Sequence, residues 1–180
     1  MRLVITGVPG TGKTVLAQKI ARKMKLRLVK INDVVVKKRL WKGKDRFGAK
    51  IVLMGPLQRE LKRLMDAGND LVMEGHLACE FPLPADLVVV CRTSPKLLEK
   101  RLSQRKYPKK KAEENLMAEM LDYCTICSLA NYPKKKVFEI DTGKKLGENA
   151  REIEAIARGR GKKFLAGRID WSKELEKQLG

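Results

Sequence analysis

Gly7-Val8-Pro9-Gly10-Thr11-Gly12-Lys13-Thr14 matches the phosphate-binding pattern G-x-x-x-x-G-K-[ST] at every position. The apolar run at 2–6 indicates a short buried strand, and apolar residues recur at helical spacing from Thr14 onward. Glycines let successive N–H groups face phosphate oxygens, and the N-terminus of the following helix adds partial positive charge. The pattern predicts a nucleotide-binding loop in which Lys13 reaches the terminal phosphates and Thr14 holds Mg²⁺. The alternative, a chance match in a glycine turn, is disfavoured by both flanks.

The charge of the chain is strongly positive and unevenly spread. The 180 residues include 40 lysines and arginines against 21 acidic residues, which gives a formal net charge of +19. Residues 19–50 alone carry 13 basic and two acidic side chains. Such a field favours polyanions such as nucleotides, RNA or an acidic protein. The alternative is a lysine-rich solvated surface of the kind found in heat-adapted proteins.

The apolar runs and the cysteines bear on location and metal binding. No run approaches the length of a membrane span and no leader pattern precedes the glycine loop, so we expect a cytoplasmic protein with no membrane association. Cys124-x-x-Cys127 is half of a zinc pattern, but a second pair or a nearby histidine is missing. We therefore expect the two thiols to pack inward from one helix rather than to hold a metal.

Strand and helix patterns alternate along the chain. Further strands are predicted at 26–31, 70–73, 87–91 and 137–140, and helices from Pro56 to Gly68, from Pro95 to a break at 107–111, at about 112–130 and at 146–158. Residues 34–50 predict a small helical insertion followed by a loop. This order predicts an α/β domain with a parallel sheet between helices. The basic tail becomes amphipathic near Trp171, and we expect it to dock on the body through that residue.

Glu74 and His76 follow the third predicted strand, and both are candidate functional residues. Glu74 lies where the sites of open parallel sheets form, and its carboxylate can orient a Mg²⁺-bound water beside Thr14. The alternative is a surface glutamate in a turn. His76, the one histidine of the chain, either contacts phosphate or positions a water, or it is an ordinary loop residue.

A basic cluster surrounds the break between the fourth and fifth predicted helices. Its members are Arg101, Arg105, Lys106 and Lys109 to Lys111. Arg101 and Arg105 are four residues apart and share one helical face. A mobile basic segment that closes over a phosphate site would neutralise transition-state charge and exclude water. The alternative is a solvated surface patch.

The run CRTSPKLLEKRLSQRKYPKKKAEENLMAEMLDYC at 91–124 resembles the lid region of a small adenylate-kinase-like family. The loop at 6–14, the segment EGHLACEFP at 74–82 and the pair Asp170-Trp171 are also similar to that family. It is the atypical adenylate kinase/ATPase family of ribosome assembly, whose archaeal branch is related to the eukaryotic coilin-interacting nuclear adenylate kinase. The resemblance spans essentially the whole chain and is weakest at 34–60.

The resemblance implies a P-loop NTPase fold of the nucleoside-monophosphate-kinase type, with a five-stranded parallel sheet in one domain of residues 1–180. It implies an NMP-binding insertion at about 32–55, a lid at about 104–114 and a basic tail at 159–180. It implies Mg·ATP as donor, AMP as acceptor with other NMPs used less well, and intrinsic ATPase activity. It further implies a role in maturing small-subunit rRNA, with a platform ribosomal protein and pre-rRNA as partners. We expect a monomer or weak dimer.

The resemblance also assigns residues by motif. The triphosphate would be held by Gly10, Gly12, Lys13, Thr14 and Val15. Arg105 would be the lid arginine on ATP, Lys144 would lie near the adenine, and Glu74 would reach Mg²⁺ through water. Catalysis would rest on Lys13, Arg101, Arg105 and His76.

Two departures leave other functions open. The family has aspartate where this chain has Glu74, and its segment after the second strand is acidic, whereas 34–50 here is basic. The alternative function is an ATP-dependent assembly switch that binds pre-rRNA and has little kinase activity. Because fold does not determine the acceptor, a different small-molecule kinase is a third possibility.

Overall fold

The computed structural model describes residues 1–68 and 70–179, without the side chain of residue 179. The strands are β1 Arg2–Thr6, β2 Arg27–Lys30, β3 Trp41–Lys44, β4 Lys50–Val52, β5 Leu71–Glu74, β6 Leu87–Arg92 and β7 Val137–Asp141. The helices are α1 Lys13–Lys23, α2 Ile31–Lys37, α3 Met54–Asp66, α4 Pro95–Gln104, α5 Lys109–Met120, α6 Tyr123–Asn131, α7 Leu146–Ala157 and α8 Ser172–Leu179. Short 3₁₀ turns span His76–Glu80, Lys134–Lys136 and Lys162–Phe164.

Five strands form one parallel sheet in the order β2-β5-β1-β6-β7. β1 lies at the centre, where Ile5 is paired with Glu74 of β5 and with Val89 of β6. Because all five strands run the same way, their carboxyl ends meet at one edge. The glycine loop follows β1 at that edge and Glu74 ends β5 there. The predicted five-stranded parallel sheet is confirmed.

The sheet is buried on both faces because successive residues of a strand point to opposite sides. Leu3 and Ile5 pack on one side with α1 and α7. Val4 packs on the other with α3 and α4. α3 supplies Leu57 and Leu61, four residues apart, and both are fully buried. The sheet therefore lies between two apolar layers.

The segment after β2 differs from the prediction of a helix followed by a loop. α2 begins directly after β2, so Asn32 lies within the helix, and the antiparallel hairpin β3–β4 follows. The turn of the hairpin is closed by the Asp45 carboxylate, which accepts the N–H groups of Phe47 and Ala49 at 2.8 and 2.9 Å. The hairpin was not predicted because lysines occupy exposed positions of its strands, which weakens the apolar pattern typical of a strand.

The predicted continuous helix at 112–130 is wrong. α5 already begins at Lys109 and ends at Met120, and α6 begins at Tyr123. Between them Asp122 has a left-handed backbone with φ of 54°. Its carboxylate bonds the guanidinium of buried Arg92. This pairing outweighs the helical propensity of the residues around the break.

The tail after α7 packs on the edge of the sheet. The N–H of Ala166 donates to the carbonyl of Val137 at 3.0 Å, and Leu165 forms an isolated bridge with Phe138. α8 follows and packs against α5. Within the parts of the chain that the structure describes, no helix has the length and apolarity needed to cross a membrane.

Candidate active site

The glycine loop adopts a backbone that side chains would obstruct. Gly7, Gly10 and Gly12 have φ values of 138°, 98° and 87°. A Cβ on Gly7 would lie 2.5 Å from the carbonyl oxygen of Cys91, and one on Gly10 would lie 2.6 Å from Leu98 Cδ1. The loop is therefore seated tightly against β6 and α4. Its amides are free of Cβ shielding, as an anion cradle requires.

Lys13 lies across this loop at the start of α1. Its side chain is 8% exposed, and its ammonium donates to the carbonyl of Val8 at 3.3 Å. Burial lowers the pKa of Lys13, and the nearby carboxylate of Glu74 partly offsets this. A buried ammonium with one weak partner is well suited to phosphate oxygens.

Thr14 and Glu74 form an oxygen pair at the floor of the site. The Thr14 hydroxyl donates to Glu74 Oε1 at 3.1 Å, and Glu74 is only 6% exposed. Glu74 is therefore a buried group facing the loop, and its alternative as a surface residue in a turn is wrong. Hydroxyl and carboxylate oxygens are the donors that Mg²⁺ prefers, so this pair fits the ion that a P-loop fold implies.

His76 lies two residues beyond Glu74, in the 3₁₀ turn, and lines the same cavity. Burial, together with the nearby cations of Lys13 and Lys111, lowers the pKa of His76 to about 4. The imidazole is therefore neutral at physiological pH. Its carbonyl accepts the hydroxyl of Thr6 at 3.1 Å, which anchors the turn to β1.

Arg101 is held against the outer side of the loop. Its guanidinium donates to the carbonyl of Thr142 at 2.8 Å and to that of Thr11 at 3.3 Å. Burial lowers the pKa of Arg101, as does the cation of Arg105. Arg105 follows the last residue of α4, at the break before α5.

Two cavities meet at the loop and share Gly10 and Arg105. The larger, about 690 Å³, lies between the loop, α2, the hairpin and α5, and is lined by Lys13, Thr14, Glu74 and His76 among others. The smaller, about 350 Å³, lies between the loop, α4 and α7, and is lined by Gly12, Val15, Arg101 and Lys144 among others. Every residue that was given a catalytic, nucleotide-binding or Mg²⁺-binding role from the sequence lines one cavity or the other.

Part of the predicted basic cluster lies elsewhere. Lys111 lines the larger cavity, but Lys106, Lys109 and Lys110 are exposed and line neither one. Lys144 lines the smaller cavity while its ammonium is paired with Glu152 at 2.7 Å. Lys106, Lys109 and Lys110 therefore form a solvated surface patch, which was the alternative interpretation of the basic cluster.

Sequence reasoning missed several residues of the larger cavity. Asn32, Lys50, Tyr107 and Asn115 line it without having been given a role. Asn32 directly follows the strand predicted at 26–31, so the meeting of parallel strand ends could have indicated it. Lys50 lies within the insertion expected at 32–55, but its position on the cavity wall depends on the β3–β4 hairpin, which was not predicted.

The cysteine pair is part of the core around this site. Cys124 is buried and Cys127 is half-buried on α6, beside buried Cys79. In residues 1–68 and 70–179, no three or more His, Cys, Asp or Glu side chains form a group that could hold a metal ion.

The parallel sheet and its glycine loop place the protein in the P-loop kinase fold class, of the nucleoside-monophosphate-kinase type. Shikimate kinase from Bacteroides thetaiotaomicron superposes with a TM-score of 0.64 at 15% identity, covering 88% of this chain and 98% of that one. Deoxyadenosine kinase from M. mycoides, solved with bound dATP, superposes with a TM-score of 0.58 at 12% identity, covering 88% and 100%. At such identities the likeness shows the fold alone.

Sequence comparison gives the family. The family described as "AAA domain" matches residues 3–122. Proteins named "Putative adenylate kinase" match nearly end to end: that of Pyrococcus furiosus is 36% identical and that of Methanocaldococcus jannaschii 32% identical. The alignments cover 98% and 97% of this chain, and 94% of each relative. The chain belongs to this adenylate-kinase-like family of archaeal proteins, and its function is kinase-like.

Proposed function

We propose that the protein is an adenylate kinase that transfers the γ-phosphoryl group of ATP to AMP, and to other nucleoside monophosphates less well. The observation that carries this proposal is the pair of cavities on opposite sides of one glycine loop. A phosphotransferase needs a donor site and an acceptor site whose phosphate ends converge, and the two cavities converge at Arg105.

The smaller cavity is the proposed donor site. Val15, Lys144 and Leu146 line its outer part, where the adenosine of ATP would lie. The triphosphate would follow the loop past Gly12 toward Lys13. Thr14 and Glu74 would hold Mg²⁺, which supplies charge neutralisation at the phosphates.

The larger cavity is the proposed acceptor site. Val36 and Met54, which are 52% and 39% exposed, give it an apolar wall suited to a base. Lys50 and Lys111 give it cations suited to a phosphate. This combination fits a nucleoside monophosphate. It also supports the expected division into an acceptor-binding insertion at 32–55 and a lid at 104–114.

The mechanism requires positioning and charge rather than a covalent intermediate. Arg105 lines both cavities, Lys13 the larger and Arg101 the smaller. Cations so placed would stabilise the charge that develops on the transferring group. Neutral His76 can orient a water through a ring nitrogen, which would account for the proposed intrinsic ATPase activity.

A second candidate function is an ATP-dependent switch in small-subunit assembly that binds pre-rRNA and a platform ribosomal protein in the cytoplasm, with little kinase activity. The hairpin favours it. Arg46 lies 4.8 Å from the ring centre of Phe47, and Lys50 lies 5.5 Å from that of Trp41. Cations interleaved with aromatic rings are typical of surfaces that bind single-stranded RNA.

One assay separates the two candidates. Protein with Mg·ATP is followed by nucleotide chromatography with and without AMP, beside Lys13→Ala and a control, Lys62→Ala, which alters an exposed lysine of α3 outside both cavities. Kinase activity gives two ADP per AMP consumed, is lost in Lys13→Ala and is kept in Lys62→Ala. Untouched AMP with slow phosphate release that rRNA accelerates would overturn the kinase and favour the switch.

A further inference from the structure

Arg92, at the carboxyl end of β6, is the centre of a buried ionic cluster that lies behind the site. It is 1% exposed and bonds three carboxylates, which are those of Glu119 at 2.8 Å, Glu139 at 2.7 Å and Asp122. Burial alone would lower the pKa of Arg92, but these carboxylates raise it above its usual value. A buried charge of this kind persists only where its partners hold it in fixed geometry.

Glu119 connects this cluster to the nucleotide side. Its Oε1 accepts three bonds, from Arg92 Nε at 2.8 Å, from the N–H of Thr93 at 3.1 Å and from the indole N–H of Trp171 at 3.2 Å. The Thr93 hydroxyl in turn accepts from the guanidinium of Arg101 at 3.3 Å. Two hydrogen bonds, through Thr93, therefore link Glu119 to Arg101, a proposed catalytic residue.

A second route reaches Arg101 from the same cluster. The carbonyl of Arg92 accepts both the N–H and the hydroxyl of Thr142 at 2.8 Å. The carbonyl of Thr142 accepts the Arg101 guanidinium at 2.8 Å. Of the residues that anchor Arg101, Thr93 is therefore held by Glu119 and Thr142 by the backbone of Arg92, whereas the carbonyl of Thr11 belongs to the glycine loop.

The C-terminal segment is tied to the cluster independently of α8. Glu139 Oε2 accepts the N–H groups of Gly167, Arg168 and Ile169 at 3.0, 3.0 and 3.2 Å. These bonds bring Trp171 over Glu119. The C-terminal segment therefore does more than cover apolar surface, because its Trp171 donates a hydrogen bond to the buried carboxylate of Glu119.

We propose that Glu119 and Trp171 are positioning residues for Arg101, so that the C-terminal segment takes part in phosphoryl transfer without touching a nucleotide. This inference rests on the proposed kinase function. Loss of the indole donor leaves Glu119 with two donors and loosens Thr93, so Arg101 becomes less well aligned with the transferring group. Misalignment of a transition-state cation lowers kcat more than it raises KM.

The test compares two variants of the full-length protein. Trp171→Phe keeps an aromatic ring, although a smaller one, and removes the indole N–H. The control, Thr125→Val, removes a hydroxyl of the same cluster that bonds Arg92 and Glu139 but neither Glu119 nor Thr93. We expect Trp171→Phe to lower kcat about fivefold with the KM for AMP unchanged, whereas Thr125→Val lowers stability with kcat unchanged.

A double variant tests whether the effect passes through Arg101. In an Arg101→Ala background we expect Trp171→Phe to cause no further loss of kcat, because the group it positions is gone. An unchanged kcat in Trp171→Phe, an equal kcat loss in Thr125→Val at matched stability, or full multiplication of the losses in the double variant would each overturn the proposal.

Failure of the positioning role can be distinguished from failure of the proposed kinase function. If the unaltered protein leaves AMP untouched, the proposed function has failed and the same variants are read by the rate of phosphate release from Mg·ATP. A loss of that rate in Trp171→Phe that disappears in the Arg101→Ala background supports the positioning role. Equal rates in the presence and absence of the indole overturn it.

Discussion

Gly7 shows how a single residue determines whether the loop can form. An added Cβ would lie 2.5 Å from a backbone oxygen of β6, and φ of 138° is a conformation that only glycine adopts readily. We expect Gly7→Ala to lower the free energy of unfolding by about 2–4 kcal/mol, from strain and overpacking together, and to abolish ATP binding. Chemical denaturation and nucleotide titration measure the two effects.

The control for this change is Gly147→Ala. Gly147 lies in α7, and a Cβ there would meet nothing within 4 Å. Helix propensity predicts that this variant is as stable as the original protein or more stable by up to about 1 kcal/mol. If both variants lost the same stability, the tight seat of the loop would not be the cause.

His76 makes a prediction about pH. Its pKa falls from 6.5 in the unfolded chain to about 4 in the folded protein, so between those values the unfolded chain binds more protons. The free energy of unfolding should therefore fall as pH is lowered through this window, by up to about 3 kcal/mol from this group. Unfolding curves from pH 7 to pH 4 should show a slope that His76→Gln flattens. An unaltered slope in the variant would place the proton uptake elsewhere.

At the residue scale, the sequence predicted the groups at the carboxyl edge of the sheet but not those behind them. Lys13 and Thr14 were predictable because a motif fixes their spacing, and Glu74 because a strand ends there. The partners of Arg92 lie 27 to 47 residues further along the chain. No local pattern indicates that these charges are buried together.

At the element scale, apolar strands and amphipathic helices were predictable because burial imposes a period on the sequence. The break between α5 and α6 was not, because it depends on the long-range bond of Asp122 to Arg92. The β3–β4 hairpin was not, because its strands are half-exposed and rich in lysine. In both cases tertiary contacts outweighed local propensity.

The hairpin is joined to α5 across the mouth of the larger cavity by two ion pairs. Arg46 lies 3.7 Å from Glu114, and Lys111 lies 3.9 Å from Asp45. Exposed pairs contribute little to global stability, but these two connect α5 to a two-stranded ribbon, which is marginally stable by itself. We expect Glu114→Lys to speed amide hydrogen exchange of residues 41–52 several-fold, while the free energy of unfolding changes by less than about 0.5 kcal/mol.

Glu113→Lys is the matched control for this prediction. Glu113 is the preceding residue of α5, carries the same charge and is exposed, and the structure assigns it no ion pair in the described residues. It should leave the exchange of the hairpin unchanged. Equal acceleration in both variants would attribute the effect to net charge rather than to the link with Arg46.

For the whole molecule, the total charge was predictable and its distribution was not. The fold divides the basic stretch at 19–50 among α1, β2, α2, the hairpin and the segments between them. On α1, Lys19 and Arg22 line a groove of about 660 Å³ against α7, and this groove shares Val15 and Leu146 with the smaller cavity. Positive charge is therefore concentrated beside the proposed donor site.

This placement predicts a salt effect that depends on position. Rising ionic strength from about 0.05 to 0.5 M shortens the screening length from roughly 14 to 4 Å, so kcat/KM for ATP should fall about tenfold with kcat little changed. Lys19→Glu with Arg22→Glu should reproduce much of that loss at low salt and flatten the salt dependence. Lys134→Glu with Lys135→Glu, exposed at the opposite, amino edge of β7, makes the same change in net charge. If both pairs of reversals act equally, the net charge of +19 attracts ATP as a whole; if only the first pair acts, the field beside the donor cavity does.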